Sequence, residues 1–185
     1  MAAGAVGGLV FVAGFLVLGA FATGYAQLHE AISALEFTDL GLAQQANFIL
    51  FGILQICFAL GLRREMREGR GSNLAPLLQA LSGLAVIGDG LFIHAPLHLA
   101  CDLVAFNAAI IVLCLFAWRF WRDRRWKGWS AYSIITALLM MAFLTAFGFA
   151  NVHGGPAGAF EKLAVASRTT WTVLLVVRLL SGRRL

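Results

Sequence analysis

Gly88-Asp89-Gly90-Leu91-Phe92-Ile93-His94-Ala95-Pro96-Leu97-His98-Leu99-Ala100-Cys101-Asp102 is the stretch from which the fold is read. Two acids and two histidines stand in it among apolar residues, and Pro96 marks a turn. On both sides run apolar segments of about twenty residues, long enough to cross a bilayer as helices. The stretch is therefore a hairpin, with a tight turn at His94 to Leu97 between two spans. Ionisable groups are costly in hydrocarbon, so their concentration here is the first candidate for function.

Composition supports a membrane protein. The chain has 185 residues, 61% hydrophobic and 12% charged, where a soluble domain is about a quarter charged. A soluble fold of this size could not hide so much apolar surface. Lys and Arg outnumber Asp and Glu, 14 to 9. Most of the excess sits in short loops, which favours membrane orientation over nucleic-acid binding. Cys57, Cys101 and Cys114 fall in apolar segments, without zinc or secreted-disulfide spacing, and are expected to be buried thiols.

Working outward from the hairpin gives six spans, at about Gly4–Ala26, Gln45–Leu62, Leu74–Ile93, from the turn to Trp118, Trp129–Phe149 and Ala159–Leu180. The first has no basic lead and is expected to remain as a helix, not to be cleaved as a signal peptide. Its Gly4-xxx-Gly8 and Ala20-xxx-Gly24 spacings would permit close helix contact. The connections after spans two and four, and the tail, hold eleven of the 14 basic residues (four, five and two), whereas those after spans one, three and five hold none. The positive-inside rule then puts both termini in the cytoplasm. Trp118, Trp121, Trp126 and Trp129 are expected to form an aromatic belt at that interface. The fold class is an all-α bundle of six transmembrane helices in one domain.

On this topology His29, His94, His98 and His153 all lie towards the outer face, with Asp89, Asp102, Asn151 and Glu161. Imidazole and carboxylate donors converging from separate loops suit a divalent metal, with His94, His98, Asp102 and His153 as the ligand pool. His98 and Asp102 are four apart, hence on one helix face. Loop histidines that are simply solvated are the plainer explanation. A haem would need two histidines facing each other from separate helices. Ser82 and Ser167 lack a Gly-x-Ser-x-Gly elbow.

Arg168 lies about 13 Å inside the sixth span. A lone arginine there is expected to face the interior and to pair with Asp102 or Asp89, with Glu161 on the same face. Asn47, Gln55 and Asn107 would extend that polar interior. A buried ion pair that merely fixes packing is the alternative to a functional one.

Three stretches resemble a known family. They are Asn47-Phe48-Ile49-Leu50-Phe51-Gly52-Ile53-Leu54-Gln55 running on to Arg63, Gly88-Asp89-Gly90-Leu91-Phe92 followed by His98, and Gly158-Ala159-Phe160-Glu161-Lys162-Leu163 leading to Trp171 and Arg178. Together they resemble the bacterial and archaeal multi-pass membrane proteins grouped as domain of unknown function 998. Members look similar to Gly-Leu-Phe-Gln/Glu-Arg at the third stretch, where this chain has Lys162, and the turn after Phe92 is shorter here. A more distant likeness, to eukaryotic membrane proteins of the Frag1/DRAM/Sfk1 type, is not carried by these residues. The resemblance implies six helices in a prokaryotic cytoplasmic membrane and no particular activity. The residues leave three classes open. The first is a binding or accessory subunit with a membrane-protein partner or a second copy. The others are a metal-assisted hydrolase acting on lipid and a small proton-coupled transporter using Asp102 and Arg168.

Overall fold

The computed structural model describes residues 1–66 and 68–182. Arg67, Arg183 and Arg184, counted above with the basic loops, lie outside the described residues. Among the described residues, six helices are long and apolar enough to cross a membrane: α1 Ala2–Phe21, α2 Gly41–Glu65, α3 Leu74–Leu91, α4 Leu97–Phe120, α5 Trp129–His153 and α6 Ala157–Leu180. Each helix packs on its neighbours in sequence, and α6 closes back on α1. The described residues form a six-helix ring that runs alternately up and down, with the start of α1 and the end of α6 on the same side.

Several boundaries differ from the sequence expectation. α2 starts four residues earlier, at Gly41, and α5 continues through Asn151, Val152 and His153. The segment between α1 and α2 is not an open loop. A 3-10 turn, Ile32–Phe37, buries Ile32, Leu35 and Glu36 against the helix ends. Thr23 closes its flank, donating from N and Oγ1 to the Asp39 carboxylate at 3.1 and 3.0 Å. These bonds hold the exposed Asp39 below the usual carboxylate range.

Two apolar clusters fill the ring. One, at the basic end, joins Phe58, Leu62, Phe116, Trp126, Trp171 and Leu175. The other, at the opposite end, joins Phe11, Phe15, Ile32, Leu35, Phe48 and Val86. α2 and α3 cross closely at Gly52 and Gly83, where a Cβ on either would meet the other's carbonyl oxygen, at 2.5 and 2.8 Å. Gly4 and Gly8 likewise seat Phe58 and Thr169. The Ala20 and Gly24 spacing makes no such contact, because α1 ends at Phe21 and Gly24 faces open space.

The tryptophans divide. Trp118 and Trp121 are exposed, as belt residues are. Trp126 is instead buried in the core, stacked on Phe120 with centroids 4.4 Å apart, and the Arg178 guanidinium lies 4.7 Å from its ring. Cys57 and Cys114 are exposed on the helix surfaces rather than buried.

Candidate functional site

The turn between α3 and α4 builds the site. Gly88, Asp89 and Gly90 end α3 facing inward and buried, and α4 starts at Leu97. His98 then sits in the first turn of α4, above the α3 terminus. Its Nδ1 lies 3.1 Å from Phe92 O and 3.3 Å from Asp89 O, two carbonyls left without helical partners at the end of α3. A carbonyl can only accept, so Nδ1 carries the proton and donates. Nε2, turned towards Asp102, is then the ring nitrogen left for a cation or a second proton.

Nε2 is buried without a hydrogen-bond partner and lies 3.6 Å from Asp102 Oδ2, one helical turn on. Asp89, His98 and Asp102 each place a ligand atom within 4.8 Å of the other two. Asp89 Oδ1 is also unpartnered and buried. Beside them stands Glu36, from the 3-10 turn, its side chain 0% exposed and one carboxylate oxygen 3.8 Å from His98 Nδ1. Neither Glu36 oxygen has a hydrogen-bond partner. Burial, with the Asp102 carboxyl as neighbour, pushes Glu36 up to about 8.

Of the residues expected at the site, the structure brings together Asp89, His98 and Asp102. His94 stays exposed in the turn, 5.7 Å from the Phe37 ring. His153 is exposed in the last turn of α5, stacked on Phe149 at 4.1 Å, with Nδ1 3.0 Å from Phe149 O. These two members of the ligand pool do not join the cluster. His29 is exposed, with Nδ1 3.0 Å from Gly155 O.

Glu161 has a different part. Its Oε2 accepts from Ile32 N at 2.6 Å, clamping the 3-10 turn to α6. Next to it, Lys162 Nζ donates to Gln27 O, Glu30 O and Tyr25 Oη at 2.8, 3.2 and 2.9 Å. Gly158 permits this approach, since a Cβ there would collide with Glu30 O. The Gly158-to-Lys162 stretch is therefore a fastener for the first loop, and that loop in turn delivers Glu36.

Arg168, the twelfth residue of α6, does not form the expected ion pair. Among the described residues no carboxylate lies within 4 Å of its guanidinium. It donates instead to Gln55 Oε1 at 2.5 Å, Ser82 Oγ at 3.2 Å and Gln79 Oε1 at 3.3 Å. Gln79 Nε2 donates to Gln55 Oε1, and Ser82 Oγ to Ala105 O, so the network joins α2, α3, α4 and α6. Asn47 is also interior, donating to Phe11 O at 3.2 Å, whereas Asn107 is exposed and bonds its own helix at Leu103 O. Asp89, Asp102, Glu161 and Arg168 nevertheless share one cavity of about 40 Å³, to which all six helices contribute. That is room for about three waters or an ion, and far too little for a lipid chain.

Sequence reasoning passed over Glu36 because it lies in a short polar connection, where an acid is ordinarily solvated. A signal was available in Ile32 and Leu35, apolar residues spaced to bury one side of a helical turn that Glu36 shares.

The family model described as protein of unknown function (DUF998) matches residues 5–178. The chain belongs to the DUF998 family. The match takes in the cluster, the Arg168 network and the Gly158-to-Lys162 fastener alike, so the site lies within the DUF998 region. No curated protein and no solved structure matches the chain.

Proposed function

We propose that this membrane protein binds a divalent cation at the Asp89, His98 and Asp102 cluster, as a binding or accessory component of the membrane. One observation carries the proposal: His98 Nε2 is buried without a hydrogen-bond partner and lies 3.6 Å from a carboxylate oxygen, while Nδ1 is tied to backbone carbonyls. Two lone pairs so placed repel unless a cation or a proton lies between them. A histidine with one nitrogen held by a carbonyl and the other bare is the usual arrangement of a metal ligand. One imidazole and two carboxylates suit a first-row ion such as Zn²⁺ or Mn²⁺. Glu36 adds an acid at the edge of the site.

The positive-inside rule places the basic loops in the cytoplasm and this cluster at the outer face of a prokaryotic cytoplasmic membrane. The cavity's size favours holding an ion over hydrolysing a lipid inside the bundle. The apolar outer faces of the helices suit lipid, a membrane-protein partner or a second copy.

The test is metal binding by the full chain in detergent, stripped with chelator and titrated with Zn²⁺ or Mn²⁺. One equivalent per chain is expected, with a raised unfolding midpoint. His98→Gln and Asp89→Asn should each weaken binding by roughly tenfold or more. Binding that both variants retain, or no binding by the wild type, rejects the site. The second outcome leaves a proton between Nε2 and Asp102, the arrangement a proton-coupled carrier would use.

A further inference from the structure

The opposite, basic end of the bundle holds an open groove of about 590 Å³ between the α2–α3 and α4–α5 connections. Five arginines line it, Arg70, Arg119, Arg122, Arg124 and Arg125, against two acids, Glu68 and Asp123. The groove is thus net positive by three charges. Its volume falls in the range of small-ligand sites.

The groove is braced from within. Arg119 Nη1 donates to Glu68 O and Arg70 O, both at 3.0 Å, which pins one connection to the end of α4. Arg70 donates to Trp118 O at 3.3 Å and lies 5.3 Å from its ring. Asp123 accepts from Arg125 Nε and Nη2 at 3.0 and 2.6 Å and from Arg125 N at 3.0 Å, so its charge is already matched. Arg122 and Arg124 remain exposed, and among the described residues neither makes a hydrogen bond or ion pair. Guanidinium groups with free donor forks match the oxygens of phosphate. Trp118, which carries Arg70, and Trp121, next to Arg122 in sequence, are 53% and 72% exposed, as rings at the headgroup layer are.

We propose that this groove binds a phosphate anion through Arg122 and Arg124, and that the anion is the headgroup of an anionic phospholipid. General attraction of basic loops to an anionic surface needs no such geometry. Here the braced loops hold two unsatisfied forks over one concavity, so the site is saturable.

The experiment uses the full chain in phosphatidylcholine nanodiscs containing phosphatidic acid, with inorganic phosphate as soluble probe. Saturable retention of phosphatidic acid is expected, weakened roughly tenfold or more in Arg122→Gln/Arg124→Gln, where two charge-assisted contacts are lost. The charge-matched control Arg63→Gln/Lys127→Gln, outside the groove, should change it less than about twofold. Equal losses in both pairs would mean a diffuse field and overturn the site. Retention unaffected by the Arg122/Arg124 pair would overturn it as well. Lipid displaced by inorganic phosphate at comparable concentration would keep the anion site and overturn the lipid assignment. Arg124→Gln alone serves where the double variant fails to fold, and is expected to weaken retention in the same direction.

Discussion

Replacing Arg168 by Met should be far milder than a buried arginine suggests, and replacing its acceptor Gln55 by Met should be the more damaging change. Arg168→Met removes three hydrogen bonds, to Gln55, Ser82 and Gln79. In membranes such bonds contribute about 1–2 kcal/mol each at most. The same change removes a desolvated cation at the bilayer centre, which returns about 3 kcal/mol. Most of the groups left behind still have partners, because Gln79 Nε2 bonds Gln55 Oε1 and Ser82 bonds Ala105 O, and only Gln79 Oε1 loses the one donor described for it. The net loss should not exceed about 3 kcal/mol. Gln55→Met instead takes away the 2.5 Å acceptor and leaves the cation in place. Leaving a buried charged donor short of an acceptor costs about 3 kcal/mol or more. The double variant should resemble Arg168→Met, giving a coupling energy of about 2 kcal/mol or more. Equilibrium unfolding of the four proteins in mixed micelles, followed by tryptophan fluorescence, measures the cycle. If Arg168→Met lost more stability than Gln55→Met, the guanidinium would have to be held by a carboxylate across the cavity, and the network described here would be wrong.

Two further outcomes follow from the first loop. Gly158→Ala drives a Cβ into Glu30 O and within 2.8 Å of Gln27 O, and should cost about 3 kcal/mol. Gly148→Ala, whose Cβ meets nothing within 4 Å, should be neutral or slightly stabilising, and similar unfolding midpoints for the two would refute the close approach. For Glu36 the folded state holds its proton up to about 8, against 4.5 as the ordinary value. The fold therefore binds more protons between these limits, and its stability falls as pH rises through that window, then levels off. Glu36→Gln should remove this contribution to the slope, making the variant the more stable protein above pH 8 by at most on the order of 5 kcal/mol, with near equality below pH 4.5. Denaturation in chelator across that range checks it, and parallel curves for the two proteins would discard the buried-acid account.

The hairpin shows how far the site was legible. The four-residue spacing of His98 and Asp102 puts them on one face in any helix, and the structure places His98 Nε2 and Asp102 Oδ2 3.6 Å apart. Asp89 was visible as an acid in an apolar run. That it joins them while His94, nearer in sequence, points away depends on how the chain leaves α3 and enters α4. His153 seemed to belong to the same pool because it lies at the same end. End-to-end proximity in a bundle does not aim a ring inward, and α5 carries the residue outward. Arg168 was legible as interior, but its partners are neutral amides and a hydroxyl, whose acceptor role no charge pattern signals.

What the sequence determined by itself was the count of helices, their alternation and their approximate ends. These follow from local quantities: run length against bilayer thickness, the cost of charge in hydrocarbon and the side on which basic loops fall. Tertiary structure alone decided that α6 closes on α1, that Glu36 is buried beside His98, that Trp126 is core and that Arg168 bonds Gln55, Gln79 and Ser82. Each of these depends on rotation of a helix about its axis and on which helices meet. Both are set by packing of small and large side chains between partners distant in sequence, such as Gly52 on Gly83 and Gly158 under Glu30.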